Sequence, residues 1–485
     1  MTPPNKNLNR RDFLSRIADG LHGAALASLL GADLYRANPA LAAHAEPATY
    51  DLTPKPAHIQ PRAKAVIQLF MNGGPSQVDL FDPKQDLKKY EGKTPSRDLT
   101  AVIVSPQANA GILPSPYKFE QRGESGLVFS ELLPQMAGVA DEFTMIRSMF
   151  TETPNHEPAL SLIHTGRVLK GRPSLGSWVS YGLGSENQNL PAYVVLDDPK
   201  GLPISGIANW QAGWLPPIYQ GTRFRAQGGP VLNLQPPADW PEEVLAAERD
   251  LLRRLDQAHL EGRPHEPNLR GRIASYELAA RMQLEASDAL SLDQEDEATR
   301  EAYGLNDALT ESYGRRCLMA RRLVERGVRF VQIYIEQQIW DAHAKLDESL
   351  RYSCGKTDKP TAALIRDLQM RGMLDETLVS WGGEFGRLPL GQGDPKNLAA
   401  LGRDHGPNGF TTLLAGGGVK RGAVYGSTDE LGNHAAENPV SVHDYHATLL
   451  HLLGMNFRDL VYNRHGLDER LTDQFPAKVI KEIIA

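Results

Sequence analysis

Six short β-rich runs punctuate the chain: AVIQLFM (65–71), FTMIRSM (143–149), AYVVL (192–196), FVQIYI (330–335), TLVSW (377–381) and FTTLLAGG (410–417). Most are near-continuous apolar segments rather than alternating ones, the pattern of strands covered on both faces. Longer helical or loop stretches separate them. Together they predict an α/β fold with a mostly parallel central sheet and helices on both faces. From Pro241 to about Arg326 the period changes. LAAERDLLRRLDQAHL and ASYELAARMQLEAS carry apolar residues three and four apart, which predicts helices inside the same domain rather than a separate one. Residues 200–240, rich in Gly, Pro, Trp and Gln, predict an irregular insertion, and the proline-rich 46–64 a linker. The body of the protein is then one domain over 65–485.

The first 45 residues follow a different logic. NRRDFL (9–14) pairs Arg10 with Arg11, AALASLLGA (24–32) is short and weakly apolar, and ALAAHA (40–45) supplies small residues for cleavage. This is the pattern of a twin-arginine export signal, cut after Ala42 or Ala45, with an amphipathic helix as the alternative. The signal implies a periplasmic or extracellular protein, with the twin-arginine translocase as a transient partner. That route carries folded cargo, so a metal can be loaded before export. No run of about 18 apolar residues occurs, so no membrane span is expected in the mature chain. The 52 Lys+Arg against 59 Asp+Glu give a net charge of −7 with no basic tract, which excludes duplex nucleic acid as a natural partner. Two cysteines, Cys317 and Cys354, exclude Cys-rich zinc modules and allow at most one internal disulfide.

Candidate chemistry gathers just beyond the strands, where open α/β sheets bind their ligands. The first run leads into Asn72-Gly73-Gly74-Pro75-Ser76, with Asp79 beyond. FVQIYI is followed by Asp341 and His343, and TLVSW by Gly382-Gly383-Glu384-Phe385-Gly386-Arg387. Gly402-Arg403-Asp404-His405-Gly406-Pro407 precedes the last run. Carboxylates and imidazoles from several loops are what a divalent cation requires. Each also has a plainer reading: a loop hydrogen bond at Asp341/His343, ion pairs of Glu384 with Arg387 and Asp404 with Arg403, a turn cap at Asp79. His443, His446 and His451 lie in an amphipathic helix and read as packing residues. WQAGWLPPIY (210–219) reads as insertion packing, and Gly416-Gly417-Gly418 as a turn.

Several segments, in order, resemble one family. GGPSQVDLFDPK, WDAH, GGEFGR, GRDHGPNGFTTLLAGGGVKRGAVYGSTDE and YHATLLHLLGM are similar to the exported bacterial domain-of-unknown-function family 1501, whose relatives belong to the alkaline phosphatase/sulfatase superfamily. The resemblance covers most of 60–485. It implies an alkaline-phosphatase-like sandwich with a divalent metal, among zinc, calcium and manganese. By that resemblance Asn72 stands where the superfamily has a metal-binding Asp, and Asp341 and His343 match one metal site. Glu384 keeps a carboxylate where a histidine is lost at Phe385, and His405, beside Asp404, matches the late metal-binding histidine.

In HEPALSLIHTGR (156–167) the sulfatase nucleophile frame is kept at Pro158 and Thr165-Gly166-Arg167. His156 occupies the nucleophile position, and Ala159 and Leu160 replace the Ser and Arg. A formylglycine sulfatase is thereby excluded. His156, with Asn155, is a candidate ligand; His156 is also a candidate nucleophile or general acid, and Ser76 is the other candidate nucleophile. The resemblance implies an exported metal-dependent hydrolase of small-molecule or polysaccharide phosphate or sulfate esters. Its rival is a non-catalytic, metal-containing protein that binds sulfated or phosphorylated polysaccharide.

Overall fold

The β-rich runs become strands in the computed structural model, which describes residues 51–93, 110–225, 241–263 and 266–485. The twin-arginine segment and part of the 200–240 insertion lie outside the described residues. In chain order the strands used below are β1 (Ala65–Phe70), β2 (Phe143–Phe150), β3 (Tyr193–Leu196), β4 (Thr222–Phe224), β5 (Phe330–Tyr334), β6 (Thr377–Gly382), β7 (Gly386–Gln392), β8 (Gly402–Gly406), β9 (Phe410–Ala415), β10 (Ala423–Tyr425) and β11 (Val440–Ser441). The helices are α1 (His156–Thr165), α2 (Leu175–Leu183), α3 (Glu242–Glu261), α4 (Pro267–Leu290), α5 (Glu311–Glu325), α6 (Leu346–Met370) and α7 (Val442–Leu452).

Among the described residues, nine strands form the central sheet in the order β10-β2-β9-β6-β1-β5-β3-β4, with β11 beside β2. Every residue of β1 and β5 is buried, as their unbroken apolar runs require when both faces of a sheet are covered. Helices α2 and α5 pack against β5, and α6 packs against α5. The fold is thus α/β with a mostly parallel sheet.

Registry sets up the site. β1 runs parallel to both neighbours, Phe70 lying opposite Tyr334 of β5 and Gly382 of β6. The three following loops therefore leave the sheet side by side. β9, expected as one more parallel member, runs antiparallel to β2 and β6, with Phe410 opposite Met149. Its start, not its end, lies at the edge where its neighbours stop. The segment preceding β9 and the segment following β2 thus reach that same edge.

Residues 51–64 hold no strand or helix, yet they lie on the body: Lys55 N bonds to Leu183 O and Ile59 N to Gly454 O, both at 3.0 Å. Cys317 and Cys354 are both buried and free. Among the described residues no helix is long and apolar enough to cross a membrane.

Candidate metal centre

Four side chains converge at this sheet edge from three directions. His156 is the first residue of α1, delivered by the chain leaving β2. Asp341 and His343 sit in the loop after β5, and His405 in β8 of the β7–β8 hairpin. One ligand atom from each lies within 4.8 Å of every other, a spacing among the described residues that could hold an ion. Asp341 Oδ1 is 2.9 Å from His343 Nε2 and 3.2 Å from His405 Nε2, and Oδ2 is 3.3 Å from His156 Nε2. The Nε2 atoms of His343 and His405 are 2.9 Å apart. Ligand atoms about 2.0–2.2 Å from a tetrahedral ion stand roughly 3.3–3.6 Å apart, between the 2.9 Å of the tightest pair here and the 4.8 Å that bounds the group.

The opposite ring nitrogens explain the orientation. His156 Nδ1 lies 2.6 Å from Glu384 Oε1, His405 Nδ1 lies 2.6 Å from Pro154 O, and His343 Nδ1 meets Gln392 Oε1. All three partners are oxygen acceptors, so each Nδ1 carries a hydrogen and each Nε2 faces Asp341, where it offers a lone pair to an ion once it has no proton of its own. Imidazoles held in this way are the usual metal-ligating form. The carboxylates are held as well. Arg387, wholly buried, donates to Asp341 Oδ1 at 2.5 Å, to Gly74 O at 3.0 Å and also to Gly73 O. Glu384 accepts from Gly73 N at 3.0 and 3.2 Å.

The Gly73-Gly74 turn tolerates nothing larger. Both residues have positive φ, and a Cβ at Gly73 would lie 2.6 Å from Asp341 N, one at Gly74 2.7 Å from the Phe385 ring. That ring lies tilted against both His156 and His405, its centroid 4.7 Å from each. With no cation present the cluster is one carboxylate facing three rings. Burial opposes a charge on His156, but Asp341 and Glu384 outweigh it and push the imidazole up to about 9. Burial works against Asp341 too, and its three imidazole partners and Arg387 hold it far below the usual carboxylate range. His343 is raised by Asp341, whereas burial lowers His405.

The sequence candidates separate by position. Asp341, His343, His405 and His156 converge. Glu384, a metal candidate by sequence, stands behind His156, and its Oε1 is taken by that imidazole and by Gly73 N. Asp404 accepts from His405 N at 2.8 Å and has an oxygen 4.0 Å from His343 Nδ1. Asn72 spends its amide nitrogen on Ile335 O at 2.5 Å and Gln337 O at 2.6 Å, tying down the loop that carries Asp341. Ser76 donates to Asp79 at 2.5 Å, and Asp79 is gripped by Arg403 at 2.6 and 3.0 Å. The plainer ion pairs take other partners: Arg387 goes to Asp341 rather than Glu384, and Arg403 to Asp79 rather than Asp404. Gln392, the Pro154 carbonyl and the Asp341 contact of Arg387 carried no sequence signal. They become visible only once the hairpin pairs His405 with Arg387.

A family model described as "Protein of unknown function (DUF1501)" matches residues 63–484. The chain belongs to that family. No curated protein matches it. Among solved structures it is similar to the lipoteichoic acid synthase LtaP from Listeria monocytogenes, with TM-score 0.35, 9% identity, and 83% of this chain and 76% of that one covered. It is also similar to the PsFucS1 sulfatase from Pseudoalteromonas sp., with TM-score 0.33, 13% identity, and 81% and 68% covered. A third is the phosphonate monoester hydrolase SpPMH from Silicibacter pomeroyi, with TM-score 0.31, 12% identity, and 66% and 68% covered. At similarities this low, none of them bears on what the site of this DUF1501 protein does.

Proposed function

We propose that this DUF1501 protein is a metal-dependent hydrolase of phosphate or sulfate esters, its ion held by His156, Asp341, His343 and His405. One observation carries the reading. Three imidazoles with outward-held Nδ1 atoms surround a carboxylate that still faces solvent, the Asp341 and His343 side chains being 21% and 35% exposed. Nitrogen-rich ligation favours zinc or iron over calcium and manganese, which prefer oxygen ligands. When bound, such an ion polarises an ester oxygen and lowers the pKa of a water it holds.

The chain's own groups set the rest. Asp341, Glu384 and Asp404 bring three negative charges and Arg387 one positive, so a divalent ion brings the site to about neutral and lifts its repulsion of an anionic ester. We assign His156 to ligation, with Glu384 fixing its ring, rather than to attack on substrate. Ser76 is assigned to structure, because its hydroxyl is bound to a carboxylate already engaged by Arg403. Residues 1–45 direct export by the twin-arginine route in this reading.

A second reading has its own support. Four protein atoms around a tetrahedral ion fill its positions, as structural metal sites do. That favours a metal-containing protein that binds sulfated or phosphorylated polysaccharide without cleaving it. A panel of aryl phosphate monoesters, phosphate diesters and sulfate esters separates the two. Turnover that a chelator abolishes and added zinc or manganese restores, lost in His156→Ala and largely kept in Ser76→Ala, supports the hydrolase. Loss in Ser76→Ala with full activity in His156→Ala reverses the assignment. A metal-loaded protein that retains sulfated polysaccharide and turns over no ester supports the binding role.

A further inference from the structure

The helix that presents His156 at its first turn carries a second imidazole near its other end. His164 is buried in α1, with Nε2 3.0 Å from the Tyr334 hydroxyl and Nδ1 3.2 Å from the Gln332 amide nitrogen. The same amide nitrogen donates to Gln68 Oε1 at 2.9 Å, and the Gln332 oxygen accepts from Tyr193. An amide nitrogen only donates, so Nδ1 is the acceptor and Nε2–H is given to Tyr334. The ring is neutral; burial pushes its pKa down to about 3.

These partners sit on the elements that carry the metal centre. Tyr334 is the last residue of β5, next to the loop bearing Asp341 and His343. Gln68 lies on β1, just before the Gly73 turn that holds Glu384. The far end of α1 is clamped from α7: His446 Nε2 donates to Ile163 O at 2.8 Å and His443 Nε2 to Gly166 O at 2.9 Å. An apolar ring would fill the same space, where His164 packs 4.5 Å from the Phe70 ring. The hydrophobic effect, however, is non-directional, and close packing restrains a ring's rotation about the helix axis less sharply than it fixes the ring's position. Two hydrogen bonds with fixed angles set that rotation as well. Rotation at His164 swings His156, roughly 12 Å away along the same helix at ~1.5 Å per residue.

We infer that His164 is a positioning residue of the metal centre, locking α1 to β5 and β1 so that the His156 imidazole meets Asp341, His343 and His405. The inference rests on the metal-centre reading above. Cobalt(II) is the probe, because its visible absorption reports coordination geometry as well as occupancy. It is titrated into metal-free wild type, His164→Phe, His164→Gln and Tyr334→Phe, with circular dichroism and Tm as fold controls.

Wild type is expected to bind one equivalent. His164→Phe should keep its fold yet bind cobalt about 10–100-fold more weakly, the usual cost of an outer partner, with a shifted spectrum. His164→Gln, which can accept from Gln332 and donate to Tyr334, should restore much of both. Unchanged affinity and spectrum in His164→Phe overturn the positioning role while leaving the metal reading intact. Absence of cobalt binding in wild type overturns the metal reading and this inference with it. If His164→Phe does not fold, Tyr334→Phe decides: a shifted spectrum supports the role and an unchanged one overturns it.

Discussion

A histidine binds metal through the ring nitrogen that its outer partner does not hold, and here Nδ1 is held three times while Nε2 faces Asp341. Glu384 is the strongest of the outer acceptors, charged, wholly buried and 2.6 Å from His156 Nδ1. Glu384→Gln keeps an acceptor but removes its charge, and should weaken zinc binding about 10–100-fold. His343→Ala, which removes a ligand, should cost more than that; competition with a chromophoric chelator measures both. Protons compete with the metal for these rings. His156 is raised to about 9 without an ion, and ligation requires it neutral. Metal affinity should therefore rise as pH climbs toward that value, and binding should release protons, seen as a buffer-dependent heat in calorimetry. A pH-independent affinity would contradict the ring assignments.

At the level of single residues, Asp341, His343 and His405 stood out as carboxylate and imidazole near strand ends, but a loop hydrogen bond was the plainer reading, and the family resemblance made them ligand candidates. The resemblance marked His156. The roles behind them were not legible, since Glu384 as ligand and Glu384 as ring-holder have the same letter in the same loop.

Elements bring these residues together, and the β7–β8 hairpin does most of it. Its Gly402 packs so tightly on the 341–343 loop that a Cβ there would stand 2.0 Å from the His343 carbonyl carbon. Gly402→Ala should cost about 1–3 kcal/mol or more through overpacking and weaken metal binding as the loop shifts. Gly262, after α3, meets nothing closer than 3.6 Å, so Gly262→Ala should be neutral or slightly stabilising. Urea unfolding of the two variants compares them, and equal effects would rule out tight packing as the cause.

All six β-rich runs became strands within about two residues of their read boundaries, because unbroken burial leaves a strong apolar signature. The hairpin did not announce itself. GRLPLGQ and GRDHG are rich in Gly and polar residues, and their pairing depends on contacts rather than local preference. The direction of β9 was equally hidden, since an apolar run reads the same either way.

Across the described residues, one sheet edge collects every proposed ligand. The loops after β1, β5 and β6, the exit of β2 and the approach to the antiparallel β9 all open there. A protein assembled this way must fold before its ligands meet, which suits a route that exports folded cargo. Changing Arg10 and Arg11 together to Lys should leave the precursor in the cytoplasm; fractionation and immunoblotting would show it there, and normal export of the double variant would refute the twin-arginine signal.

Anomalous scattering from crystals of the protein purified without chelator tests the metal centre most directly. The account predicts a single strong peak at a transition-metal absorption edge, about 2.0–2.2 Å from the Nε2 atoms of His156, His343 and His405 and from an oxygen of Asp341. No peak there after soaking in zinc and manganese, or a peak whose neighbours exclude His156, would contradict it.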